Sequence, residues 1–317
     1  MNGLLLIDKP SAMTSSRVVE AARRRLSLKR IGHGGTLDPL GTGILPLLLG
    51  HATRFSSHFL EGDKSYEGVF RLGEKRDTDD VDGEIEAVDL ELREKLSLLT
   101  PERCESLAQQ FSGALEQIPP QYSAIKLGGK KSYELARAGK ESLLAPRRVT
   151  IYSLSLWRVG ENGLGYKVRC SKGTYVRSLG RDLASALNTF AAVESLRRTA
   201  VGRFGLENAV ALDDLTVERA AEAIVPLSVM ISEMPRISLD RRAIRALRFG
   251  DQAPLRALGA DLKDQVADFS SEVGKERVIC EENSAATGMA VFCPEGFWKI
   301  RFLFPEGQEI LLNNPQL

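Results

Sequence analysis

Residues 31–43 read Ile-Gly-His-Gly-Gly-Thr-Leu-Asp-Pro-Leu-Gly-Thr-Gly and lead directly into the apolar run 44–49. We call residues 31–43 the glycine loop, because five of them are glycine. Glycine permits turns that a side chain would block, and it lets a ligand approach the backbone. Asp38, the only carboxylate of the loop, suits nucleophilic or acid/base chemistry. An Asx-Pro turn, in which Asp38 only bonds its own backbone, explains the same pattern.

Four further stretches combine lysine, tyrosine, arginine and glycine in short motifs. They are Lys9-Pro10, then Lys64-Ser65-Tyr66 with Leu72-Gly73, then residues 119–126 with 133–137, and residues 170–177 with 196–199 and 202–204. Together with the glycine loop, these motifs resemble the TruB family of tRNA pseudouridine synthases over roughly residues 3–205. One fragment alone would be weak evidence, whereas five fragments in the family's order are specific.

The resemblance assigns catalytic roles to three residues of this chain. It implies that Asp38 acts as the nucleophile or as the base that deprotonates the sugar, and both mechanisms stay open. Arg177 is then the ion-pair partner of Asp38, and we expect its guanidinium to grip the carboxylate with two N–H groups. A phosphate contact or a surface pair is the alternative for Arg177. Tyr66 corresponds to a base-binding tyrosine, and its removal of the C5 proton is a hypothesis.

Other positions match the family as binding or scaffold residues. His33 matches a position that contacts extruded nucleotides, and Leu196 matches one that lines the uridine pocket. Tyr175 corresponds to a second base-binding tyrosine, although core packing with a satisfied hydroxyl explains either tyrosine equally. The lysines that the pattern leaves as RNA or scaffold contacts are Lys9, Lys126 and Lys172.

The glycine loop departs from the common family pattern at two positions. Gly34 stands where bacterial members often have threonine, and Gly41 stands where alanine is common. Both changes add backbone freedom and remove no reacting group. They therefore put the rigidity of the loop in doubt, but not the class of reaction.

Length and patterning predict an α+β protein of two domains. The chain has 317 residues, which is long for one domain. We expect a catalytic domain over 1–232, built on a mixed, mainly antiparallel sheet flanked by helices. Its local patterns predict strands at 4–7, 66–72, 146–158 and 165–171, helices after Thr14 and after Gly173, and an acidic loop at 73–84 followed by a helical segment.

Near residues 232–235 the character of the sequence changes. A short helix ending at Gly250 is followed by strands at 277–280, 289–292 and 297–304. We expect residues 236–317 to form a small β-rich, PUA-like domain that binds RNA or serves as an accessory. An extension that completes the fold without an RNA role is the alternative.

Composition excludes several classes of protein. The run 44–49 is too short to span a bilayer, and the start of the chain lacks the basic residues of a signal peptide. The four cysteines form no CxxC pair, so we expect a cytoplasmic protein. With three histidines in the chain and no metal-ligand spacing, we expect no metal. The isomerisation of uridine that the resemblance implies also requires no cofactor.

Charge is distributed unevenly although the net charge is only +1. Basic residues concentrate in three stretches, 17–30, 126–148 and 167–181, and acidic residues concentrate in 77–89. Such segregation can offer one basic face to phosphates. Each stretch taken alone is equally explained as a solvated helix face.

The resemblance implies a substrate and leaves alternatives of other classes. The substrate implied is the uridine at position 55 in the T-loop of tRNA, which must be flipped out of its stack to react. We expect the enzyme to act on the T-arm without a guide RNA and without a membrane. The main alternative is a non-catalytic RNA-binding or RNA-folding protein on the same scaffold. A guide-dependent synthase and an aspartyl phosphotransferase are weaker alternatives, since the chain ends without a basic tail and lacks a magnesium-ligand set.

Overall fold

The structure is a computed structural model, and it describes residues 1–123, 125–127, 129–137, 143–258, 274–281, 285–295, 297–306 and 308–311. The chain divides into two compact units. The larger unit is Leu5–Ala223, and the smaller unit combines Met1–Leu4 with Ile224–Leu317.

The described residues form strands and helices throughout both units. The strands are β1 (Gly3–Lys9), β2 (Ile31–His33), β3 (Thr42–Leu49), β4 (Lys64–Leu72), β5 (Glu74–Arg76), β6 (Ile85–Val88), β7 (Gly113–Gln117), β8 (Lys126–Leu127), β9 (Lys130–Lys131), β10 (Arg147–Val159), β11 (Gly163–Cys170), β12 (Ala191–Val201), β13 (Phe204–Gly205), β14 (Val210–Ala211), β15 (Val225–Pro226), β16 (Arg236–Leu239), β17 (Glu276–Glu281), β18 (Ala285–Phe292), β19 (Trp298–Leu303) and β20 (Ile310–Leu311). The helices are α1 (Ser15–Leu26), α2 (Ser56–Glu61), α3 (Leu92–Ser97), α4 (Pro101–Gln110), α5 (Ser132–Arg137), α6 (Val176–Ser185), α7 (Val217–Ala223), α8 (Leu227–Met230) and α9 (Arg241–Arg248), with short 3-10 turns at Gly50–Phe55 and Leu206–Asn208.

The larger unit is built on one twisted sheet. Its strands run in the order β14-β1-β3-β12-β4-β11-β10-β7, with β2 beside β3 and β13 beside β12. Neighbouring strands from β12 to β7 are antiparallel, whereas β3 runs parallel to β12 and β14 runs parallel to β1. The expected α+β class with a mixed, mainly antiparallel sheet is therefore confirmed. The strand β12 lies between β4 and β3, and β3 begins at the end of the glycine loop.

The core lies where α6 covers the middle of this sheet. Along β11 the apolar side chains face inward, and Tyr166 is fully buried. Its ring stacks on that of Phe70 at 4.2 Å between centroids. Gly180 in α6 leaves room for Phe70, since a Cβ there would lie only 2.5 Å from the Phe70 ring. This close helix–sheet contact fixes the first turn of α6, which carries Arg177.

Local sequence signals placed several elements correctly. Thr14 caps α1 by accepting a hydrogen bond from the backbone N–H of Arg17, as the run of hydroxyl residues predicted. The helix buries its apolar side chains, including Val18 and Leu26. The strand predicted at 4–7 is β1, and the helix predicted after Gly173 is α6.

The segment expected to be an acidic loop at 73–84 is partly a hairpin, which corrects that prediction. The strands β5 and β6 pair across it, with Glu74 opposite Val88. Helical structure begins only at Leu92. The prediction failed because β5 is polar throughout and the apolar Ile85 and Val88 of β6 are exposed, so neither short strand shows a clear alternation of apolar and polar residues,.

The smaller unit is β-rich, as expected. The strands β16, β17, β18 and β19 form its sheet in that order, and β20 pairs with β18. The helix α9 buries Ile244 and Leu247. Phe249, which the sequence assigned to this helix, follows it and is 82% exposed. Within the same unit, Gly3 of β1 pairs with Pro226 of β15.

None of the helices in the described ranges is long and apolar enough to cross a bilayer. Over the same ranges, no three His, Cys, Asp or Glu side chains come together as a metal site would require. The cysteines Cys104, Cys170, Cys280 and Cys293 are all free thiols.

Candidate active site

The glycine loop is tied down on both sides of Asp38. The Ser15 hydroxyl donates to the Leu37 carbonyl at 3.0 Å and accepts from the Leu37 N–H at 2.9 Å. Gly41 N–H donates to the Asp38 carbonyl at 3.0 Å. The Asp38 side chain keeps 34% of its surface exposed. The loop therefore presents a fixed carboxylate that a substrate can reach.

Arg177 holds that carboxylate from the first turn of α6. Its Nε lies 2.9 Å from Asp38 Oδ2, and its side chain is only 7% exposed. Its terminal nitrogens donate to the carbonyls of Thr78 and Tyr122, each at 2.9 Å. The expected grip by two N–H groups is therefore wrong, since one N–H meets Asp38 while the rest of the fork is bound to backbone. The guanidinium is fixed in orientation before any substrate arrives.

Carboxylates of the acidic stretch 77–89 lie close to Arg177 and to the next turn of α6. Asp80 is buried, and its Oδ2 lies 4.0 Å from Arg177 Nε. Burial raises the pKa of Asp80, while its hydrogen bond with Thr78 and the charge of Arg177 act in the opposite direction. Asp79 pairs with Arg181, one helical turn after Arg177, at 3.0 Å. Asp80 thus belongs to the site, whereas Asp79 anchors the next turn of α6.

A second arginine braces the loop from β12. Arg198 is 1% exposed. Its Nε donates to the Ile44 carbonyl at 2.7 Å, and its terminal nitrogens donate to the carbonyls of Thr36 and Gly35 at 3.1 and 3.2 Å. Across the sheet, Arg198 lies directly opposite Tyr66. Arg198 therefore connects the loop that carries Asp38 with the strand that carries Tyr66.

Tyr66 lies in β4 within the hydrophobic core, with 9% of its surface exposed. Burial raises the pKa of its hydroxyl, and the nearby Arg198 charge works against that rise. The ring is packed in the core, as the core-packing alternative described. The same contacts also fix a phenol next to Arg198 and within electrostatic range of Asp38.

Tyr175 precedes α6 and is held through its backbone. Gln117 donates from Nε2 to the Tyr175 carbonyl at 3.1 Å and accepts from its N–H at 2.8 Å. The ring is half-buried. Burial raises the pKa of its hydroxyl. A fixed backbone with a partly exposed ring is the arrangement that a stacking platform needs.

His33 ends β2, at the start of the glycine loop. Its Nδ1 accepts a weak hydrogen bond from the Gly35 N–H at 3.4 Å. Burial lowers the pKa of His33, and the charge of Arg198 lowers it further. The neutral imidazole suits binding better than proton donation.

Lys9 is a scaffold residue in this structure. It is fully buried, and its Nζ donates to the carbonyls of Pro10, Met13 and Pro39 at 2.8, 2.6 and 3.0 Å. Burial lowers its pKa to about 8, with the charge of Asp38 opposing and that of Arg198 adding to the effect. Lys9 thus fixes the backbone immediately after Asp38.

The remaining predicted positions fall in different environments. Leu196 is buried in the core cluster and also lines an open pocket of about 380 Å³ beside Leu40 and Thr42. Lys172 is an exposed residue that pairs with Glu61. Lys126 belongs to β8, but its side chain lies outside the described part of the structure.

The two departures from the family pattern have packing explanations. A Cβ at Gly34 would lie 2.6 Å from the Cβ of Phe59, so Phe59 occupies the space that a larger side chain would need. A Cβ at Gly41 would lie 3.0 Å from both Leu37 and Leu196. Tight packing around these glycines restricts the loop despite their intrinsic freedom.

The basic stretch 167–181 is more neutral in three dimensions than in sequence. Four of its members face carboxylates that lie far along the chain, namely Arg169 with Asp63, Lys172 with Glu61, Arg177 with Asp38 and Arg181 with Asp79. For this stretch, the acidic partners reduce the charge that could be offered to phosphates, and a basic face for RNA stays a prediction. Long-range pairing of this kind has no signature in the sequence.

The arrangement supplies a reachable carboxylate, a buried guanidinium beside it, and two tyrosines. Sequence reasoning missed two of its supports. Asp80 was counted only as part of an acidic run, and Arg198 only as part of the 196–199 motif. For Arg198 a signal existed, because an arginine at an inward-facing strand position must find buried partners.

Comparison with known proteins places this geometry in a context. The sequence profile of the "TruB family pseudouridylate synthase (N terminal domain)" matches residues 23–176. The profile of the "tRNA pseudouridylate synthase B C-terminal domain" matches residues 177–234. A tRNA pseudouridine synthase B from Ralstonia pickettii is 38% identical over 299 residues, which cover 92% of this chain and 91% of the relative. One from Aromatoleum aromaticum is 43% identical over 249 residues, covering 76% and 77% of the two chains.

Solved structures share the fold at low sequence identity. A Cbf5-Nop10-Gar1 complex superposes with a TM-score of 0.67 at 21% identity, covering 95% of this chain and 84% of the other. An archaeal box H/ACA sRNP Nop10-Cbf5 complex gives a TM-score of 0.63 at 20% identity, covering 95% and 86%. At this level of identity the likeness concerns the fold alone.

Proposed function

This chain belongs to the TruB family of pseudouridine synthases, and from that premise we propose that it isomerises a uridine of tRNA to pseudouridine with Asp38 at the reacting sugar. The observation that carries the proposal is the ion pair between the partly exposed Asp38 and the buried Arg177, at 2.9 Å. A carboxylate held in this way is oriented while remaining open to a substrate.

The reaction requires three events on the nucleotide. The bond between N1 and C1′ breaks, the base rotates, and C5 bonds to C1′ while C5 loses its proton. Asp38 either attacks C1′ or removes the proton from C2′, and both routes need the oriented, reachable carboxylate that the glycine loop presents. Each of these events needs only acid/base or nucleophilic groups of the kind that this site contains.

Arg177 has an electrostatic role in this proposal. Its guanidinium is locked by the Thr78 and Tyr122 carbonyls, so its Nε needs no reorganisation when the charge on Asp38 changes during the reaction. Preorganised donors of this kind contribute strongly to catalysis because they are aimed before the chemistry begins.

The tyrosines and His33 deal with the base and the nucleotides beside it. Tyr175 provides a stacking surface, and stacking contributes about 1–3 kcal/mol per base. Tyr66 accepts the C5 proton, and Leu196 bounds the space next to it. Taking a uridine out of its stack costs a few kcal/mol, which these contacts offset.

We assign the substrate as the uridine at position 55 in the T-loop of tRNA. The protein binds the T-arm and needs no guide RNA. We assign it to the cytoplasm. The relatives named tRNA pseudouridine synthase B support tRNA as substrate. The four free cysteines suit a reducing compartment,. Residues 1–232 carry the catalysis and residues 236–317 are a PUA-like RNA-binding or accessory module.

The test is tritium release from a tRNA transcript labelled at C5 of uridine, with wild-type protein and Asp38→Asn side by side. We expect the wild type to release one tritium per tRNA and the variant to release none while still binding tRNA. A transcript with cytidine at the T-loop position is the matched control and should release nothing. Tight binding without release by the wild type would instead favour a non-catalytic RNA-binding protein.

A further inference from the structure

Arg198 lies between the loop that carries Asp38 and the strand that carries Tyr66. Its strand β12 lies between β3, which continues from the glycine loop, and β4, which carries Tyr66. In the register of the sheet, Arg198 is opposite Gly43 on one side and opposite Tyr66 on the other. The β12–β4 register shifts immediately afterwards, between Arg198 and Ala200. Irregularities of this kind re-aim side chains and are frequent next to active sites.

All bonding partners of Arg198 in the described part of the chain are neutral. They are the carbonyls of Gly35, Thr36 and Ile44. A buried guanidinium without a carboxylate partner is costly, so its presence at this place calls for a function. Directly opposite Arg198 in the sheet stands Tyr66, whose hydroxyl, unlike those carbonyls, can become an anion.

Resting on the proposed function, we propose that Arg198 is the positioning residue for removal of the C5 proton: it fixes the Tyr66 hydroxyl relative to the Asp38 loop and stabilises the phenolate that Tyr66 forms during that step. The Tyr66 hydroxyl gives its proton to N1 of the rearranged base, and the phenolate then takes the proton of C5. One proton thus moves from C5 to N1, and Tyr66 ends the cycle as it began.

The electrostatics of Tyr66 agree with this geometry. Burial makes the phenolate unfavourable and raises the pKa of Tyr66, while the charge and hydrogen bond of Arg198 oppose that rise. Without Arg198, the phenol would lose the charge that opposes the effect of burial on its pKa. The proton transfer from C5 would then become slow compared with the steps at the sugar.

The experiment measures single-turnover rates on tRNA carrying either hydrogen or deuterium at C5 of the target uridine. In Arg198→Met we expect the rate to fall about 100-fold, the range of general acid/base catalysis, with tRNA affinity within a few-fold of wild type. The deuterium isotope effect should rise above that of the wild type, because a step that limits the rate expresses its isotope effect. Arg198→Lys keeps the charge and should be intermediate in both quantities.

The matched control is Arg197→Met on the same strand. Arg197 forms a half-exposed pair with Asp8 at 2.7 Å, so its loss should leave the rate and the isotope effect unchanged. The double variant Arg198→Met with Tyr66→Phe should be no slower than the slower single variant, since both changes disable one step.

Two results would overturn the proposal. One is a slower Arg198→Met enzyme with the wild-type isotope effect, and the other is a double variant whose losses multiply. Either would reduce Arg198 to a brace of the loop. If Arg198→Met does not fold, Arg198→Lys decides, since a wild-type isotope effect in a slowed Arg198→Lys enzyme contradicts the role. Absence of tritium release by the wild type is a separate outcome, which counts against the proposed function itself.

Discussion

At the scale of the residue, the site depends on which nitrogen of Arg177 meets Asp38. The Nε contact leaves the terminal nitrogens on two backbone carbonyls, so one side chain orients the carboxylate and also fixes two loops. A lysine carries the same charge but cannot reach three acceptors in one plane. Arg177 is therefore more than a counter-ion, and the residue type matters as much as the charge.

We expect Arg177→Lys to lower the single-turnover rate about 100-fold or more, the usual effect of losing a preorganised donor. The affinity for tRNA should change much less, because the residue is buried. The matched control is Arg181→Lys, one turn along α6, which pairs with Asp79 on a half-exposed face and should keep most of the rate. Equal losses in rate and affinity for Arg177→Lys would indicate a phosphate contact instead.

The buried Lys9 makes stability depend on pH in a defined direction. Its pKa is about 8 in the folded protein, compared with 10.5 for a lysine exposed to solvent. Between those values the unfolded chain binds the proton more tightly, so the stability contributed at Lys9 rises as the pH rises. We expect the free energy of unfolding of the wild type to gain on that of Lys9→Met from about pH 8 upward.

Urea denaturation across this range measures the effect. Lys172→Met, which changes an exposed lysine, is the control and should follow the wild type in parallel. A difference between wild type and Lys9→Met that stays constant with pH would mean that the three carbonyls keep the Lys9 ammonium fully protonated.

At the scale of the element, the parallel contact between β3 and β12 requires glycine at position 43. Gly43 has φ of +94°. A Cβ there would lie 2.9 Å from the backbone nitrogen of Arg198 and closer still to the backbone oxygen of Arg198. We expect Gly43→Ala to destabilise the protein by more than Gly202→Ala. Gly202 also has positive φ, at +56°, but open space around it, so its cost should be about 1–2 kcal/mol. Chemical denaturation of both variants compares them, and equal costs would show that crowding is relieved by a small backbone shift.

The elements that the sequence predicted are those whose evidence is local. The cap at Thr14, the alternation around Tyr166 and the apolar face of α6 depend on neighbours a few residues away. The strands β14, β15 and β16 are two to four residues long and exist because distant partners pair with them. Local and long-range evidence differ in the same way at the site. Asp38 is recognisable from its own loop, whereas Asp80 and Arg198 are recognised only through their long-range contacts.

At the scale of the whole molecule, the smaller unit invites a test of its role. We expect a protein ending at residue 235 to bind tRNA several-fold more weakly and to keep its single-turnover rate at saturating tRNA. The physical reason is that the site residues described above all lie within Leu5–Ala223, so the removed residues contribute contacts with the RNA and not chemistry.

Thermal unfolding of the shortened protein provides the control, because a cooperative transition shows that the remaining residues fold. Unchanged tRNA affinity in a folded, shortened protein would support the alternative that residues 236–317 complete the fold without binding RNA. A folded protein with a lower rate at saturating tRNA would contradict the separation of roles.

The three-point fixation of Arg177 has a consequence for how activity is acquired during synthesis. Its partners Asp38, Thr78 and Tyr122 precede it by 139, 99 and 55 residues, and closing loops of that length is slow compared with forming local helices. The carboxylate meets its guanidinium only after most of the larger unit has left the ribosome and collapsed. A nascent or misfolded chain can therefore contain every reacting residue and still be inactive. Catalytic activity in this protein thus reports that long-range folding is complete.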